Sequence, residues 1–533
     1  MKAGEMKGSL LEECFSSCHK LKFQSRWLKN KGAILVLTWS YLTVSVYHFY
    51  AMSATRNPMK HKSHLPLNPG EILAAGIFLP IGGWLADAYF GRYKVILCGM
   101  WTMWLGAMLN GVSLVTAMLV PSYKEHGDPW VSLICRIILG AGFGLFQANI
   151  IQFGIDQLLE ASSTEITSFI SWYTLTIFAC GFTMQFSSSC PPHYAIVLVL
   201  AFHLSMALGS NYVFNYWLDK EQKVFNSLPL IRKTVQYTIK NRKKWKRLFA
   251  LGNHSVLSKL NIAKVMYGGP FLSEQVEDVK TFFRILAVIA LVLAVFSGIP
   301  STTYDAGILE PRFHHRSHMR VCYKELSIKY AHFILTVFAV LLYQTIVHPV
   351  CHKYIPRVKT TTRMFISILL FFTSVMILLS MESVSYHKQL GLNQTITKCN
   401  FQSKSRHQDI QSYLVIVPQT MIALSIFLFI SVGIEFVCAQ APLYMKGLLF
   451  GIGYALYGLG SLVQSAISIP FRHNRSVWDK APLTCGIWYF ITQAVIVLVG
   501  FIIVIIVIKT YRRRTRPNVP QSKYIGIDSV NAP

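Results

Sequence analysis

Charged residues are scarce in this sequence. Only 14% of the 533 residues are Asp, Glu, Lys or Arg, whereas a soluble chain usually carries about 25%. A surface so poor in charge excludes a protein that faces water on all sides. Acidic residues are the scarcer half, 23 against 51 Lys and Arg, and the net charge is +28. Because the basic residues lie between apolar runs, loops and lipid head groups account for them better than nucleic acid does.

Motifs of catalysis and metal binding are also missing. The eleven cysteines form no Cys-x-x-Cys pair and no Cys/His metal spacing, so we expect neither a metal nor a cofactor. No Walker A, Gly-x-Ser-x-Gly or His-Glu-x-x-His motif occurs, and we expect no enzymatic activity. The first 31 residues are polar and carry no cleavage site, so the first helix is expected to insert uncleaved.

Long apolar runs are what the sequence has in abundance. Hydrophobic residues make up 53% of the chain, and the mean hydropathy is +0.42. About 20 apolar residues in a helix cross a hydrocarbon core of about 30 Å. The sequence predicts twelve such spans, at 32–54, 71–89, 93–120, 131–153, 167–186, 194–218, 283–303, 330–350, 364–380, 413–438, 447–469 and 484–508.

These spans fall into two sets of six. We divide the chain into an N-terminal tail (1–31), an N-terminal bundle (32–218), a basic linker (219–282), a C-terminal bundle (283–508) and a C-terminal tail (509–533). An all-α integral membrane protein with two six-helix bundles is the architecture of the major facilitator fold.

Basic residues set the predicted orientation. They concentrate in the linker, in the loop at 353–363 and at the start of the C-terminal tail, which places these three segments and both tails in the cytosol. The segment at 314–320 on the other side does not follow this rule. Within the linker, 231–249 fits either a basic amphipathic helix lying on an anionic leaflet or a solvated charged linker.

The same orientation places two glycosylation sequons outside the cytosol. They begin at Asn393 and Asn474, and both are predicted to be glycosylated. Cys190, Cys322 and Cys399 are also placed outside, where a disulfide can form, but the sequence does not identify a pair.

The turn between the second and third spans combines small residues with opposite charges. Gly83 allows two helices to approach closely, while Asp87 and Arg92, with Gly91 between them, can pair across a tight turn. The Gly-x-x-x-Asp-x-x-x-Gly-Arg spacing resembles the signature loop of the major facilitator superfamily. We interpret these four residues as a conformational gating motif that breaks and re-forms during rocking.

Four further motifs resemble the proton-coupled oligopeptide transporter (POT) family, a solute carrier family 15-like group, and within it the peptide/histidine branch. The segment 152–157 is similar to its FGxDQF motif, 169–173 to FFSxFY, 276–280 to VEDVK and 433–446 to GLEFxYSQAPxxMK. They occur in the family's order over nearly the whole chain. The resemblance implies secondary transport of small peptides or histidine-like amino acids by alternating access.

Glu435 is the first candidate substrate-binding residue. A carboxylate within an apolar span is costly unless it is paired or hydrated, so it marks a functional site by default. In the family that the chain resembles, the matching Glu receives the substrate's amino group. The alternative is a structural Glu that forms a hydrogen bond at a helix contact.

The first span contributes three more candidates. Tyr50 matches a substrate-contacting Tyr of the family, and Tyr47 is a second candidate substrate-binding residue, although aromatic packing explains them equally well. His48 is a titratable imidazole, so His48 and Glu435 are the candidate proton-handling groups. A His within a span is more often an interhelical hydrogen-bonding residue.

The sequence departs from the family where the family carries a charged cluster. Leu42, Ser45 and Val46 occupy the positions of the two Glu and the Arg of span one. Gln147 replaces the Lys of span four, and Phe178 replaces an Asn of span five. Because all the charges are lost together, the remaining site is neutral. This argues against proton coupling and against recognition of a peptide carboxylate.

Two other functions fit the same observations. The loss of the charged cluster fits a non-transporting receptor or scaffold whose working surface is the basic linker, or a carrier of an unrelated, less charged solute. The segment 524–527 matches a tyrosine-based sorting signal, so we expect a plasma or endolysosomal membrane. The expected partners are a small-molecule substrate, membrane lipids and, where transport is coupled, protons, but not nucleic acid.

Overall fold

The computed structural model describes eleven segments of the chain: 30–56, 69–119, 129–158, 161–189, 193–220, 224–243, 258–296, 334–342, 360–391, 416–473 and 485–511. Within these segments the chain is mainly helical, with short turns and connections and an isolated bridge between Lys264 and Phe271. Asn393, Asn474, the three cysteines predicted outside the cytosol and the segment 524–527 lie outside the described residues.

The N-terminal set contains six long helices, each at the position of a predicted span. A π-helical turn, Ala86–Phe90, ends α2 and leads into α3. The six helices are α1 (Lys31–Arg56), α2 (Pro69–Leu85), α3 (Arg92–Leu119), α4 (Pro129–Asp156), α5 (Ser163–Ser189) and α6 (His193–Phe214).

The C-terminal set follows the same pattern. Two helices begin earlier than the predicted spans, because polar first turns extend them: α7 at Ser273 rather than 283, and α9 at Thr360 rather than 364. The helices are α7 (Ser273–Phe296), α8 (334–342), α9 (Thr360–Gly391), α10 (Ile416–Gln440), α11 (Lys446–His473) and α12 (Cys485–Thr510).

Seven helices of the described segments are long and apolar enough to cross a membrane: α2 with its π-turn, α3, α4, α9, α10, α11 and α12. Large apolar side chains such as Ile77, Trp101, Val495 and Ile502 are about half exposed on them. In a membrane such side chains face lipid, because lipid tails are as apolar as the side chains themselves. The chain is therefore an integral, multi-pass membrane protein.

Three pairs of helices make the main contacts between the two sets in the described segments. α2 and α4 of the first set contact α11 of the second, and α5 contacts α10. The main core runs across this boundary, since buried Trp39, Phe146 and Phe169 belong to the same cluster as Ile434 and Phe450. The helix contacts therefore bring residues far apart in sequence into one interior.

The described part of the linker contains a helix, Leu228–Lys240 (the linker helix), which begins three residues before the predicted segment 231–249; residues 244–249 lie outside the description. Its Thr234 is fully buried and its Ile231 packs on the main core, while Arg232, Lys233 and Lys240 are exposed. Protein therefore covers part of the apolar side of this helix, around Ile231, while Ile239 is exposed. The membrane-surface and solvated alternatives for 231–249 both stay predictions.

The linker is anchored to the first turns of α7 by an ion-pair cluster. Glu277 Oε1 accepts hydrogen bonds from Lys264 Nζ and Lys280 Nζ, each at 2.6 Å, and Lys280 also donates to Asn261. Burial alone would raise the pKa of Glu277, but the two lysines more than offset it and lower the pKa to about 2. The segment 276–280, one of the four POT-like motifs, thus ties the linker to the C-terminal bundle.

Candidate functional site

The gating motif lies at the end of the bundles nearest the linker. Gly91 has a φ of 78°, a conformation that glycine adopts without strain, and its N–H donates to the Ala86 carbonyl at 3.1 Å. This turn directs Asp87 and Arg92 into the protein, and both are buried.

Arg92 and Asp87 connect three helices. Arg92 Nη2 donates to Asp87 Oδ1 at 3.2 Å, and Arg92 Nη1 pairs with Asp156 at the end of α4. Asp87 Oδ2 accepts the backbone N–H of Leu448 at 3.2 Å, in the first turn of α11. A carboxylate at a helix N-terminus is stabilised by the unpaired N–H groups and the helix dipole. Asp87 therefore joins the N-terminal bundle to the C-terminal one.

Two glycines allow this contact. A Cβ on Gly83 would overlap the backbone of Gly447, and a Cβ on Gly447 would stand 3.0 Å from both carboxylate oxygens of Asp87. The structure thus brings Gly83, Asp87, Gly91 and Arg92 into one contact, which closes the linker end of the molecule. We call it the closing contact.

Glu435 lies on α10 and is almost completely buried. Its two oxygens accept hydrogen bonds from Arg363, Oε1 from Nη1 at 3.1 Å and Oε2 from Nη2 at 2.5 Å. The sequence analysis placed Arg363 in a cytosolic loop. That placement was wrong: α9 already begins at Thr360, so Arg363 lies in its first turn, beside α10.

Sequence reasoning missed Arg363 as a site residue, although a signal was present. A buried carboxylate needs a cation or water, and Arg363 is a cation at the start of the apolar span that immediately precedes the span of Glu435. It was counted only as one basic residue among others in a loop. The residue type alone does not reveal which of these cations faces the bundle.

A chain of polar contacts connects the helix of Glu435 to the closing contact. Cys438, one turn further along α10, has its sulfur 3.9 Å from Gln152 Oε1, and Gln152 Nε2 donates to Asp156 Oδ1 at 2.8 Å. Asp156 is also the partner of Arg92. Gln152 and Asp156 both belong to the FGxDQF-like segment, so this motif supplies the connection between the two charged groups.

A neutral polar cluster lies between the bundles. Gln147 Nε2 donates to the Tyr173 hydroxyl at 3.0 Å, and the hydroxyls of Ser40 and Tyr454 lie beside it without hydrogen-bond geometry. Ser40 Oγ, Gln147 Oε1, Tyr454 OH and nearby Thr43 Oγ1 have no hydrogen-bond partner among the described residues. Gln147, which stands where the family has a Lys, thus belongs to an uncharged group of four helices.

Tyr47, the candidate of span one whose side chain is described, lies elsewhere. Tyr47 stacks on Phe143, with ring centroids 3.7 Å apart and an interplanar angle of 5°. By helical rise, Tyr47 is roughly 24 Å from the start of α1, whereas Glu435 is roughly 8 Å from the end of α10, and both ends lie near the linker. The structure therefore does not bring Tyr47 to Glu435. The side chains of His48 and Tyr50 lie outside the description.

The three span-one positions that differ from the family are buried. Leu42 and Val46 lie in the interior, and Ser45 donates to the Tyr41 carbonyl. These positions are therefore satisfied by packing and local hydrogen bonding. Among the described residues, no group of three or more His, Cys, Asp or Glu is arranged to hold a metal ion.

Comparison with known proteins gives few sequence matches and many structural ones. No family model matches the chain. It is similar to Protein NRT1/ PTR FAMILY 7.2 of Arabidopsis thaliana, with 28% identity over 123 residues. That match covers 21% of this chain and only 21% of the curated relative.

Two solved structures align over nearly the whole fold. The POT family transporter PepTSo has 14% identity and a TM-score of 0.60, and the alignment covers 90% of this chain and 98% of that one. An autoinhibited POT family peptide transporter has 15% identity and a TM-score of 0.58, with 92% and 99% coverage. The structural relatives of this multi-pass membrane protein thus include members of the family that its motifs resemble, and its fold is the major facilitator fold.

Proposed function

We propose that the chain is a secondary transporter that moves a small solute across a membrane by alternating access. The observation that carries the proposal is the closing contact. Asp87 on one bundle caps α11 on the other, and Arg92 holds Asp87 in place. A contact made of hydrogen bonds and glycine packing between two bundles can break and re-form as a unit, which alternating access requires.

Small peptides or histidine-like amino acids are the proposed substrates. The POT-like motifs support this class, and so do the peptide transporters with the same fold. Glu435 is the proposed site for a substrate ammonium, because it is a buried carboxylate whose present partner is also a cation. Tyr47 and Tyr50 are proposed, from the resemblance to the family, to contact the substrate at a part of its path separate from Glu435.

We propose that transport is equilibrative rather than driven by protons. Leu42, Ser45, Val46 and Gln147 carry no charge at the positions where the POT family has a charged cluster. The hydrogen bond from Gln147 to Tyr173 supports a neutral role for this region. His48 and Glu435 would be the proton-handling groups if uptake proved to be coupled. The proposed location is the plasma membrane or an endolysosomal membrane.

The test is uptake of a labelled dipeptide and of labelled histidine into proteoliposomes, with and without an inward proton gradient. We expect saturable uptake that stops at equal concentrations on the two sides and does not respond to the gradient. Concentrative uptake would overturn the equilibrative mechanism. Absence of uptake of any solute in a folded preparation would overturn transport itself.

A non-transporting scaffold is the second candidate, favoured by the exposed basic face of the linker helix. Ile231 of this helix packs on the protein core, so Arg232, Lys233 and Lys240 are held in one orientation. Saturable flux in the uptake experiment would exclude a pure scaffold. Loss of an in-cell function on replacing these three residues, without any flux, would favour it.

A further inference from the structure

The linker end of α6 carries a compact group of lysines and aromatic rings. α6 packs against α1 and α3, and a short 3₁₀ helix, Asn215–Trp217, follows it. Lys31, the first residue of α1, has its Nζ 5.3 Å from the ring centroid of Trp217. Lys220 has its Nζ 5.0 Å from the ring centroid of Tyr93, the second residue of α3. We call Lys31, Tyr93, Trp217 and Lys220 the lysine–aromatic corner.

Other contacts hold the two rings of this corner in place. The Tyr93 hydroxyl lies 3.0 Å from Asn211 Oδ1 and 2.8 Å from Asn215 Oδ1, which ties the start of α3 to the end of α6. The ring of Trp217 stacks on that of Phe214, with the centroids 4.3 Å apart. The fold therefore positions both rings, and each ring in turn positions a lysine.

The two lysines are held without being neutralised. An aromatic face attracts an ammonium group but carries no net charge, so the lysine can still donate hydrogen bonds to an anion. Lys31 and Lys220 are exposed, and neither pairs with a carboxylate of the described segments. Lys94 and Asp219 are exposed beside them, so positive charges outnumber negative ones here.

A further donor in the corner has no acceptor. The indole Nε1 of Trp217 is buried and has no hydrogen-bond partner among the described residues. A buried donor without an acceptor costs free energy, so an acceptor oxygen that reached this edge of the ring would be stabilising. The corner thus combines two ammonium groups with an unsatisfied N–H.

The corner lies at the end of an apolar face that points away from the protein. Phe202, Met206 and Val213 are about half exposed or more, and their spacing places them on one side of α6. By helical rise this face is roughly 16 Å long, so it reaches into the hydrocarbon core. Tyr216, at its linker end, is 77% exposed. Because tyrosine and tryptophan rings concentrate at the headgroup level, this is the level that we assign to the corner.

We propose that the lysine–aromatic corner binds the headgroup of an anionic phospholipid. The lipid phosphate accepts hydrogen bonds from the ammonium groups of Lys31 and Lys220, and the acyl chains lie along the apolar face of α6. The site is on the side that the basic residues predict to be cytosolic, where anionic lipids are abundant and basic pockets between spans bind their headgroups. It lies outside the boundary between the bundles, so the inference does not depend on the proposed transport function.

The apolar face is the reason for choosing a lipid over other anions. A free phosphate or an acidic protein segment would contact the lysines but would leave Phe202, Met206 and Val213 without a role in binding. A phospholipid contacts the lysines and the apolar face together, because its headgroup and its acyl chains belong to one molecule. The acyl chains should therefore contribute to affinity, and a soluble headgroup should bind much more weakly than the lipid.

The test is lipid binding to the purified full-length protein, measured by native mass spectrometry. Phosphatidylserine and phosphatidylinositol 4,5-bisphosphate are each compared with phosphatidylcholine, whose headgroup has no net charge. We expect the anionic lipids to bind at least about tenfold more tightly than phosphatidylcholine. They should also raise the melting temperature, because a ligand that binds only the folded state stabilises it.

The double variant K31Q/K220Q removes both ammonium groups from the corner. It should weaken binding of the anionic lipids about 10- to 30-fold and remove the rise in melting temperature. K31R/K220R keeps both charges and should bind as the wild type does. R232Q/K233Q is the matched control, because it removes the same number of exposed cations from the linker helix and should leave lipid binding unchanged.

Three results would overturn the proposal. Equal weakening by R232Q/K233Q and by K31Q/K220Q would mean a diffuse attraction to the whole basic surface instead of a site. Equal binding of phosphatidylcholine would mean that the lysines do not recognise the headgroup. If inositol 1,4,5-trisphosphate, which has no acyl chains, bound as tightly as the corresponding lipid, the corner would be a site for soluble anions.

Discussion

Two of the charged groups described near the linker end, the closing contact and the Arg363–Glu435 pair, connect different parts of the fold. In the closing contact, Arg92 lies between Asp87 and Asp156, and Asp87 reaches the first turn of α11 in the opposite bundle. In the other group, Arg363 and Glu435 join α9 and α10 of the same bundle. One group therefore changes its contacts when the bundles move apart, and the other can remain intact.

Because of this difference, we expect the closing contact to affect conformational change and the Arg363–Glu435 pair to affect ligand binding. A residue whose partners lie on both bundles contributes to the free-energy difference between the closed and open states. A residue whose partner lies in its own bundle contributes mainly to folding and to affinity. Mutations in the two groups should therefore have different effects on a reporter of opening, and Cys438 provides one.

The largest effect is expected from Arg92→Gln. This substitution leaves Asp87 buried without its cation, which costs about 3–5 kcal/mol, and the cost is relieved when the linker end opens and hydrates Asp87. We expect Cys438 to react with a maleimide much faster than in the wild type, because Cys438 is buried against Gln152 at the boundary. Peptide mass spectrometry after timed labelling measures this.

Cys180 provides the internal control for that experiment. It is buried inside the N-terminal bundle, where its thiol contacts the Tyr41 carbonyl at 3.2 Å. Its labelling should stay slow in the Arg92 variant. Equal acceleration at both cysteines would mean general unfolding and would contradict a specific role in closure.

A second substitution tests the packing part of the closing contact. Gly83→Ala places a Cβ into the backbone of Gly447, which should destabilise the closed state by about 3 kcal/mol and accelerate labelling of Cys438. Gly76→Ala is the matched control on the same helix, since nothing lies within 4 Å of the added Cβ. Similar labelling of the two variants would show that the close approach does not hold the bundles together.

The closing contact was predictable from sequence to a large extent. The spacing of Gly83, Asp87, Gly91 and Arg92 indicated a tight charged turn, and hydrophobic runs indicated the helices that it joins. What the spacing did not indicate was the far partner, because Asp87 binds a backbone N–H of α11 rather than a side chain. Every residue except proline has a backbone N–H, so the residue type at this position does not indicate the contact.

The second group and the linker were harder to predict for related reasons. Arg363 was assigned to a loop, because hydropathy ends a span where charges begin even if the helix continues. The linker helix was assigned to a membrane surface or to solvent, because an amphipathic pattern does not reveal what covers the apolar face. Tertiary contacts are not visible in either pattern: Arg363 pairs with Glu435, and Ile231 packs on the main core.

Glu435→Gln should have a smaller effect, of a different kind. Arg363 keeps a neutral acceptor and is partly exposed, so we expect a loss of about 2 kcal/mol in the free energy of unfolding. Labelling of Cys438 should remain at the wild-type rate, because both partners lie in one bundle. Thermal unfolding and timed labelling of the same sample measure the two quantities. Faster labelling of Cys438 would mean that the pair also controls closure.

The smallest expected effect concerns the ion-pair cluster that anchors the linker to α7. The pKa of Glu277 is about 2 in the folded protein against an ordinary value of 4.5, because Lys264 and Lys280 bind the ionised form. The stability that it contributes is therefore present above pH 4.5 and is lost as the pH falls towards 2. Glu277→Gln should lower the free energy of unfolding by about 1 kcal/mol at pH 7.

Thermal unfolding of the wild type and of Glu277→Gln between pH 7 and pH 3 tests this assignment. The difference between the two melting temperatures should be constant above pH 5 and should shrink below it. Protonation of Glu277 removes from the wild type the same ion pairs that the glutamine variant already lacks. Labelling of Cys438 should be the same in both, since Lys264, Lys280 and Glu277 connect the linker only to the C-terminal bundle. A difference in melting temperature that persists unchanged at pH 3 would show that the glutamine disturbs packing rather than charge, and the anchoring role of Glu277 would then be abandoned.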